Sequence, residues 1–180
     1  MTEAKTQLRA ELRSKRKSIL PPRKSNAEEL SIQTLLPLAQ EVKGLVLSYV
    51  SFGSEFPTQQ LNEYLIVLEN LVLPKVEGGE LCLYLVPSYQ CLTPGHSKIL
   101  EPDPLQCIKI PEEQVSLAFI PGLGFDSEKH RIGYGKGHFD RLLPKLIHCE
   151  TIGIGFKEQF VSEGLPKQDH DVALNQILLF

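Results

Sequence analysis

The residues whose types and spacing could do chemistry are concentrated between Arg131 and Asp140, where the chain reads Arg-Ile-Gly-Tyr-Gly-Lys-Gly-His-Phe-Asp. Three alternating glycines lack Cβ atoms, so the backbone can approach a ligand closely and present several N–H groups to an anion. Arg131 and Lys136 would neutralise phosphate charge, and Asp140 could supply an oxygen ligand to a phosphate-bound Mg²⁺. The segment is therefore predicted to bind a polyphosphate.

The spacing of these glycines matches neither a Walker A loop nor the G-x-G-x-x-G dinucleotide fingerprint. At the level of the pattern, the segment could also be a glycine-rich hairpin with solvated charges. Asp140 could likewise be an ordinary carboxylate in the first turn of the helix predicted over residues 137–147, where it would interact with the helix N-terminus. The residues alone leave these alternatives open.

The elements that must position this segment are short apolar runs that alternate with helical stretches. Strands are predicted at 45–50, 71–74, 81–86, 117–120, 151–155 and 176–180, and helices at 3–19, 24–37, 58–69, 137–147 and 157–163. This alternation predicts an α/β fold: a mainly parallel, doubly wound (Rossmann-like) sheet with helices on both faces, preceded by an N-terminal helical segment. In such sheets, ligands bind beyond the carboxyl ends of the strands, where the glycine-rich segment lies.

Glycines, prolines and one long connection allow further structural predictions. Gly78-Gly79 is predicted to turn a hairpin between two strands, and Pro37 is predicted to end the second helix. Residues 89–114 are predicted to form a long, ordered surface excursion without regular structure, and a loop of that length is often functional. We expect one domain over residues 1–180.

Composition excludes several classes of protein. Of the 180 residues, 42% are hydrophobic and 23% charged, with a formal net charge of −3, which is typical of a globular domain. No apolar run is long enough to span a membrane, and the basic start lacks the apolar run of a secretory signal, so a cytoplasmic protein is expected. The four cysteines have neither zinc-site nor disulfide spacing and are interpreted as reduced thiols.

The motifs resemble those of a known family. Residues 119–126, Phe-Ile-Pro-Gly-Leu-Gly-Phe-Asp, followed by residues 131–140, resemble the signature of the 5-formyltetrahydrofolate cyclo-ligase (methenyltetrahydrofolate synthetase) family. Further similarity is found at Lys5 and Arg9, and at residues 51–55, 74–75, 99–102 and 166–171. The resemblance therefore covers nearly the whole chain.

The resemblance implies an ATP-dependent conversion of 5-formyltetrahydrofolate to 5,10-methenyltetrahydrofolate, with release of ADP and phosphate. In the family, the formyl oxygen attacks the γ-phosphoryl group, N10 then closes the ring, and phosphate leaves. The implied cofactor is Mg²⁺, and the implied partners are ATP and a reduced folate. Neither nucleic acid nor a membrane is expected as a partner, and we expect a monomer.

The resemblance also implies roles for particular residues. The ATP-binding residues would be Lys5, Arg9, Arg131, Gly133, Tyr134, Gly135, Lys136, Gly137, His138 and Phe139. The substrate-binding residues would be Val50, Glu55, Tyr134, Gly135, Lys136, Gly137 and His138. Lys136 and Arg131 would be catalytic, and Asp140 and Asp171 would bind the metal. On pattern alone, Lys5 and Arg9 would more often belong to a solvated basic helix face, and Asp171 to a polar turn with Asp169 and His170.

Three positions depart from the family pattern: Tyr134 stands where arginine is common, His138 where tyrosine is common, and Asn175 where aspartate is frequent. Losing a guanidinium removes one fixed charge from a phosphate site. These departures motivate an alternative hypothesis, a non-catalytic relative that binds nucleotide, folate or RNA. A more remote alternative is a related enzyme that acts on a phosphosugar or an acyl-CoA.

Overall fold

A central seven-stranded sheet organises the computed structural model, which describes residues 3–95, 99–166 and 171–180. The strands are β1 (Leu45–Leu47), β2 (Leu71–Glu77), β3 (Glu80–Leu85), β4 (Leu92–Pro94), β5 (Leu100–Pro102), β6 (Ile108–Ile110), β7 (Val115–Ile120), β8 (Gly124–Phe125), β9 (Arg131–Ile132), β10 (Glu150–Gly155) and β11 (Gln176–Leu179). The helices are α1 (Glu3–Lys17), α2 (Pro21–Glu41), α3 (Gln59–Val67) and α4 (His138–Leu142). The large sheet has the order β11-β10-β7-β1-β2-β3-β6, while β4 with β5 and β8 with β9 form separate pairs.

The sheet is mainly parallel, as predicted. Strands β11, β10, β7, β1 and β2 pair in parallel, whereas β3 pairs antiparallel with both β2 and β6. The antiparallel edge begins at the predicted hairpin, where Gly78 and Gly79 have φ values of 58° and 88°. Two consecutive positive φ angles suit a two-residue turn and favour glycine, so the hairpin prediction is confirmed.

Both faces of the sheet are covered, because successive side chains of a strand point to opposite sides. On β1, Val46 packs into the cluster that contains Ala27 and Leu35 of α2 and Leu61 of α3. Its neighbour Leu47 packs on the other side, in the cluster that contains Leu142 of α4. The predicted doubly covered α/β sheet is thus confirmed.

The helix predicted over residues 137–147 is much shorter in the structure. Helix α4 has only five residues and continues as a single 3₁₀ turn at Leu143–Lys145. Pro144 explains the difference, since it has no N–H to donate and its ring clashes with the carbonyl of residue 140 in an α-helix. An extended helix dipole therefore does not act on the glycine-rich segment.

The predicted helix end at Pro37 is wrong, because α2 continues through this proline to Glu41. Pro37 and Gln33 both lie on the exposed side of the helix, so water can satisfy the carbonyl of Gln33 that loses its intrahelical donor. Buried Leu35 and Ala39 hold the opposite side of α2 against the core. Packing here outweighs the cost of the proline.

The segment 89–114 is ordered, as predicted, but the expectation that it lacks regular structure is wrong. Strands β4 and β5 form a small antiparallel pair, and β6 extends the edge of the large sheet. Leu92, Cys107 and Ile110 are buried, which anchors the segment to the core. Strands of three residues are too short to show an alternating pattern in the sequence.

No helix in the described parts of the chain is both long and apolar enough to cross a membrane. The four cysteines are free thiols, and Cys107 and Cys149 are buried. Burial raises the pKa of the Cys149 thiol to about 12, so this side chain behaves as a small apolar core residue.

Candidate functional site

A cavity of about 560 Å³ opens between α1, the segment that follows β1, and the glycine-rich loop. It lies beyond the carboxyl ends of β1 and β7, where parallel sheets commonly bind ligands, and its volume is within the range of small-molecule sites. Every residue predicted for the site contributes to its wall: Lys5, Arg9, Val50, Glu55, Arg131, Gly133, Tyr134, Gly135, Lys136, Gly137, His138, Phe139, Asp140 and Asp171. The structure thus brings together residues from both ends of the chain.

Helix α1 delivers several cations to one side of this cavity. Lys5 and Arg16 are buried, at 5% and 2% exposure, and Arg9 lies one turn after Lys5. Leu12 lies on the same helix and packs into a small cluster with Leu123 and Ile132 beside the glycine-rich loop. The side of α1 that would ordinarily be a solvated basic face is therefore directed into the cavity.

The glycine-rich loop begins at β9, which pairs with β8. Gly135 and Gly137 have φ values of 95° and 68°, a region that side chains rarely adopt, so these two positions require glycine. The carbonyl of Gly133 accepts a hydrogen bond of 2.9 Å from Nε of Arg9. This bond ties α1 to the glycine-rich loop at the cavity.

Two ion pairs connect the predicted cations with the predicted metal ligands. Nζ of Lys5 lies 2.6 Å from Oδ2 of Asp171, and Nη2 of Arg131 lies 2.6 Å from Oδ1 of Asp140. Burial lowers the pKa of the Arg131 guanidinium below its ordinary value, and the charges of Asp140 and Asp171 oppose this effect only in part. Both carboxylates therefore face the same buried arginine, and the two ion pairs form one charged network.

The donor set suits Mg²⁺ only in part. Within the described residues, no group of three or more His, Cys, Asp or Glu side chains could hold a metal ion. Asp140 and Asp171 are two oxygen donors in the same network, and Mg²⁺ in phosphate-handling sites is commonly held by one or two carboxylates, with phosphate oxygens and water completing the octahedron. The residues therefore fit a metal that arrives with a phosphate ligand, and they do not form a complete protein cage.

Glu55 lies in the loop after β1 and forms another part of the cavity wall. Its Oε2 accepts a hydrogen bond of 2.9 Å from the backbone N–H of Phe52. Burial raises the pKa of the Glu55 carboxyl, while hydrogen bonds from Phe52 and Tyr134 and the charge of Arg16 lower it. The carboxylate is thus a partly desolvated acceptor that faces the cavity.

The remaining predicted residues differ in how firmly they are held. His138 is near the carbonyl of Gly79 at 3.1 Å and Nη2 of Arg141 at 3.2 Å, on an exposed surface. The Arg131 guanidinium stacks 5.4 Å from the centre of the Phe139 ring. Lys136 is exposed, and its amine forms no ion pair or hydrogen bond within the described ranges.

Several residues of the cavity wall were not predicted as site residues, among them Arg13, Arg16, Ser54 and Glu101. A signal for Arg16 exists in the sequence, since it lies seven positions after Arg9 and therefore on nearly the same helical face. Glu101 comes from β5 and is held near Nζ of Lys75 at 3.7 Å. No local pattern connects β5 with the glycine-rich loop. Asp169 and His170, named beside Asp171, lie outside the described residues.

Comparison with known protein sequences identifies one family and several relatives of this chain. Residues 1–179 match the sequence profile of the 5-formyltetrahydrofolate cyclo-ligase family. The 5-formyltetrahydrofolate cyclo-ligase of Haemophilus influenzae is 29% identical over 185 residues, which cover 99% of this chain and 98% of that protein. The mouse enzyme of the same name is 38% identical over 69 residues, covering 36% of this chain and 34% of the mouse protein.

Solved structures agree as well. The solution structure of Aquifex aeolicus 5,10-methenyltetrahydrofolate synthetase has a TM-score of 0.84 and 31% identity, covering 96% of this chain and 88% of that one. A 5,10-methenyltetrahydrofolate synthetase from Mycoplasma pneumoniae has a TM-score of 0.77 over 96% of both chains, and its 22% identity supports the fold alone.

A mainly parallel α/β sheet whose carboxyl edge carries a cavity lined by a glycine-rich loop and cationic side chains defines the class of protein as an α/β enzyme. Within that class, the chain belongs to the 5-formyltetrahydrofolate cyclo-ligase family. None of the relatives described above supports a non-catalytic binding protein or an enzyme for phosphosugars or acyl-CoA.

Proposed function

We propose that this enzyme converts 5-formyltetrahydrofolate to 5,10-methenyltetrahydrofolate and cleaves ATP to ADP and phosphate in the same cycle. The observation that carries the proposal is that one cavity is lined both by the glycine-rich loop with its cations and by Glu55. The loop and the cations offer positive charge and backbone N–H groups to phosphates, and Glu55 offers a carboxylate acceptor to a ring with N–H donors. That the second ligand is a folate, and which reaction it undergoes, is inferred from the names of the relatives.

The proposed reaction asks the protein mainly for positioning and neutralisation of charge. The formyl oxygen attacks the γ-phosphoryl group, N10 attacks the activated carbon, and phosphate leaves with the formyl oxygen. Lys136 and Arg131 are the proposed catalytic cations, because they could stabilise the charge on the transferring phosphoryl group. Glu55 and Val50 would hold the folate against the loop.

The charged network suggests how the nucleotide is received. Lys5 and Arg131 now neutralise Asp171 and Asp140, and phosphate oxygens would compete for the same cations. Asp140 and Asp171 are the residues that would hold Mg²⁺, which supplies further neutralisation of phosphate charge when bound. Arg9 has an Nη1 group that is buried without a hydrogen-bond partner within the described residues, so it retains a donor for an anion.

The deciding experiment mixes the purified protein with 5-formyltetrahydrofolate and MgATP and follows the absorbance of methenyltetrahydrofolate. Product should form only when ATP and Mg²⁺ are both present, and ADP should accumulate in equal amount. A Lys136→Met variant should lose most of the turnover, whereas Lys145→Met should not, because Lys145 pairs with Glu80 outside the cavity. Absence of product at high enzyme concentration would refute the proposed function.

A further inference from the structure

Arg16 differs from the other buried cations of the cavity. Lys5 and Arg131 each face a carboxylate at 2.6 Å, whereas no carboxylate in the described parts of the chain forms an ion pair with Arg16. Its three nitrogens instead donate to neutral oxygens: Nε to Oγ of Ser54 at 3.2 Å, Nη1 to the carbonyl of Gly122 at 3.2 Å, and Nη2 to the hydroxyl of Tyr134.

A guanidinium at 2% exposure with only neutral partners is costly unless its charge is compensated nearby. The group that compensates the charge of Arg16 is the Glu55 carboxylate, which lies beyond Tyr134. The Tyr134 hydroxyl accepts from Arg16, and the Glu55 carboxylate lies close enough to both groups for its negative charge to act on them. Arg16, Tyr134 and Glu55 therefore form a chain of neighbouring groups that runs from α1 through the glycine-rich loop to the loop after β1, to which Arg16 is also bonded through Ser54.

The three residues come from three separate segments, so the chain ties α1, the glycine-rich loop and the loop after β1 together at the cavity. The Tyr134 ring is also flanked by guanidinium groups, with Arg13 at 5.3 Å and Arg16 at 5.5 Å from its centre. The tyrosine is consequently held both by its hydroxyl and by its ring.

We propose that Arg16 is a positioning residue for the folate: it holds Ser54 and the Tyr134 hydroxyl, and through them it fixes where the Glu55 carboxylate lies in the cavity. This inference rests on the proposed function, because it takes the folate as the ligand of Glu55. It assigns a role to the tyrosine at position 134: this residue links the loop to a guanidinium that α1 supplies.

Other groups that face Glu55 bear on its ionisation. Tyr49, from the segment after β1, lies near the carboxylate, and burial first and then the charge of Glu55 raise the pKa of its phenol. Tyr49 is therefore neutral and adds no charge near neutral pH. The Phe52 N–H, which donates to Glu55, belongs to the loop after β1 and not to α1. Arg16 is thus the cation whose removal should most affect Glu55.

The test measures binding of 5-formyltetrahydrofolate by calorimetry without ATP, at several pH values, for Arg16→Met, Tyr134→Phe and the double variant. Each single change should weaken folate binding by about tenfold near neutral pH, the loss expected for one hydrogen bond to a charged group. The double variant should be no weaker than the worse single variant, since both changes break one chain. The pH below which binding falls should be higher in Arg16→Met than in the wild type.

A matched control separates this role from a purely structural one. Arg23 is a partly buried arginine that binds Glu158 and the carbonyl of Phe180 away from the cavity. Arg23→Met should lower thermal stability without changing folate affinity or its pH profile. Tyr134→Phe keeps the ring and its packing, so it tests the chain even if Arg16→Met folds poorly.

The inference is overturned if Tyr134→Phe binds the folate as the wild type does, if the two losses simply add, or if ATP affinity falls as much as folate affinity. The last result would mean that Arg16 contacts phosphate. The binding measurement needs no turnover. A wild-type protein that binds the folate but forms no product would refute the proposed function and leave this inference intact.

Discussion

At the scale of single residues, the ion pair between Arg131 and Asp140 links stability to the site. The Arg131 side chain is 4% exposed and that of Asp140 is 29% exposed. Removing the carboxylate leaves a buried guanidinium with one charged partner fewer, and breaking buried pairs costs about 3–5 kcal/mol, less where one partner is partly solvated. The sequence alone does not show that Asp140 pairs with Arg131.

We therefore predict that Asp140→Asn lowers both turnover and stability. Turnover and its Mg²⁺ dependence should fall because a ligand charge is lost, and the melting temperature should drop by about 3–8 °C, at roughly 2–4 °C per kcal/mol for a chain of this size. Thermal unfolding and steady-state kinetics check this. Glu41→Gln, at the exposed end of α2, is the control and should change neither quantity.

For Glu55, unlike Asp140, we expect a substitution to increase stability while it weakens function. Burial raises the pKa of its carboxyl above the ordinary 4.5, so the folded state favours the protonated form. The stability this provides is present at low pH and is lost as the pH rises through the raised pKa. At neutral pH the ionised carboxylate is therefore a net cost to the free protein, because its burial outweighs its attraction to Arg16.

Glu55→Gln should accordingly raise the melting temperature near pH 7 to 8, and the gain should shrink as the pH falls toward 4.5. The same change should weaken folate binding by about tenfold or more, because an acceptor charge is lost. Melting curves across pH and a binding isotherm measure both effects, with exposed Glu63→Gln as the control. Equal gains at every pH would show that ionisation of Glu55 is not the cause.

At the scale of elements, α1 is positioned by a small cluster outside the main core. Leu12 is 5% exposed and packs with Leu123, Ile132, Val161 and Leu165. The same helix carries Lys5, Arg9 and Arg16 into the cavity. Packing in this cluster therefore determines where three cations lie.

Leu12→Ala should cost about 2–5 kcal/mol of stability, as buried leucine truncations generally do. It should also raise the KM for ATP, although Leu12 itself is apolar, because α1 would no longer hold its cations in place. Leu30→Ala, on the exposed side of α2 at 50% exposure, removes the same atoms and should leave both quantities nearly unchanged. A loss of stability with an unaltered KM for ATP would contradict this role of α1.

The elements differ in how well the sequence predicts them. The buried strands β7 and β10 and the Gly78-Gly79 hairpin follow from apolar runs and turn chemistry, which act locally. The length of α4 and the continuation of α2 through Pro37 depend on which side of each helix is packed, and that is set by tertiary structure. Which way the cationic side of α1 faces is also set by tertiary structure, since a basic amphipathic pattern does not show whether the cations contact solvent or a cavity.

At the scale of the whole molecule, the site should be stabilised by its own ligand. A ligand that binds only the folded state at about one hundred times its Kd adds about 2.7 kcal/mol. MgATP should therefore raise the melting temperature by about 5–11 °C. Adding a chelator should remove most of this gain, because Asp140 and Asp171 are proposed to act on phosphate through Mg²⁺. An equal gain with and without Mg²⁺ would contradict the metal assignment.

The fold class, the main strands of the sheet and most of the cavity wall could be predicted, because alternating strands and helices define the sheet and its carboxyl edge defines where ligands bind. What the sequence could not predict is the pairing of charges across the cavity. Arg16 with Tyr134, and Lys5 with Asp171, are contacts between distant segments that no local spacing encodes. These contacts decide which charges are already neutralised before a ligand arrives.

The Lys5–Asp171 pair joins positions 166 residues apart. Neither partner belongs to the large sheet, which can form its parallel pairs without them. The cavity is therefore complete only when both outer segments of the chain lie against each other. Loss of α1 by cleavage could leave a folded sheet that no longer catalyses, whereas loss of the chain after Asp171 would also remove β11, so activity reports on more of the polypeptide than the sheet alone does.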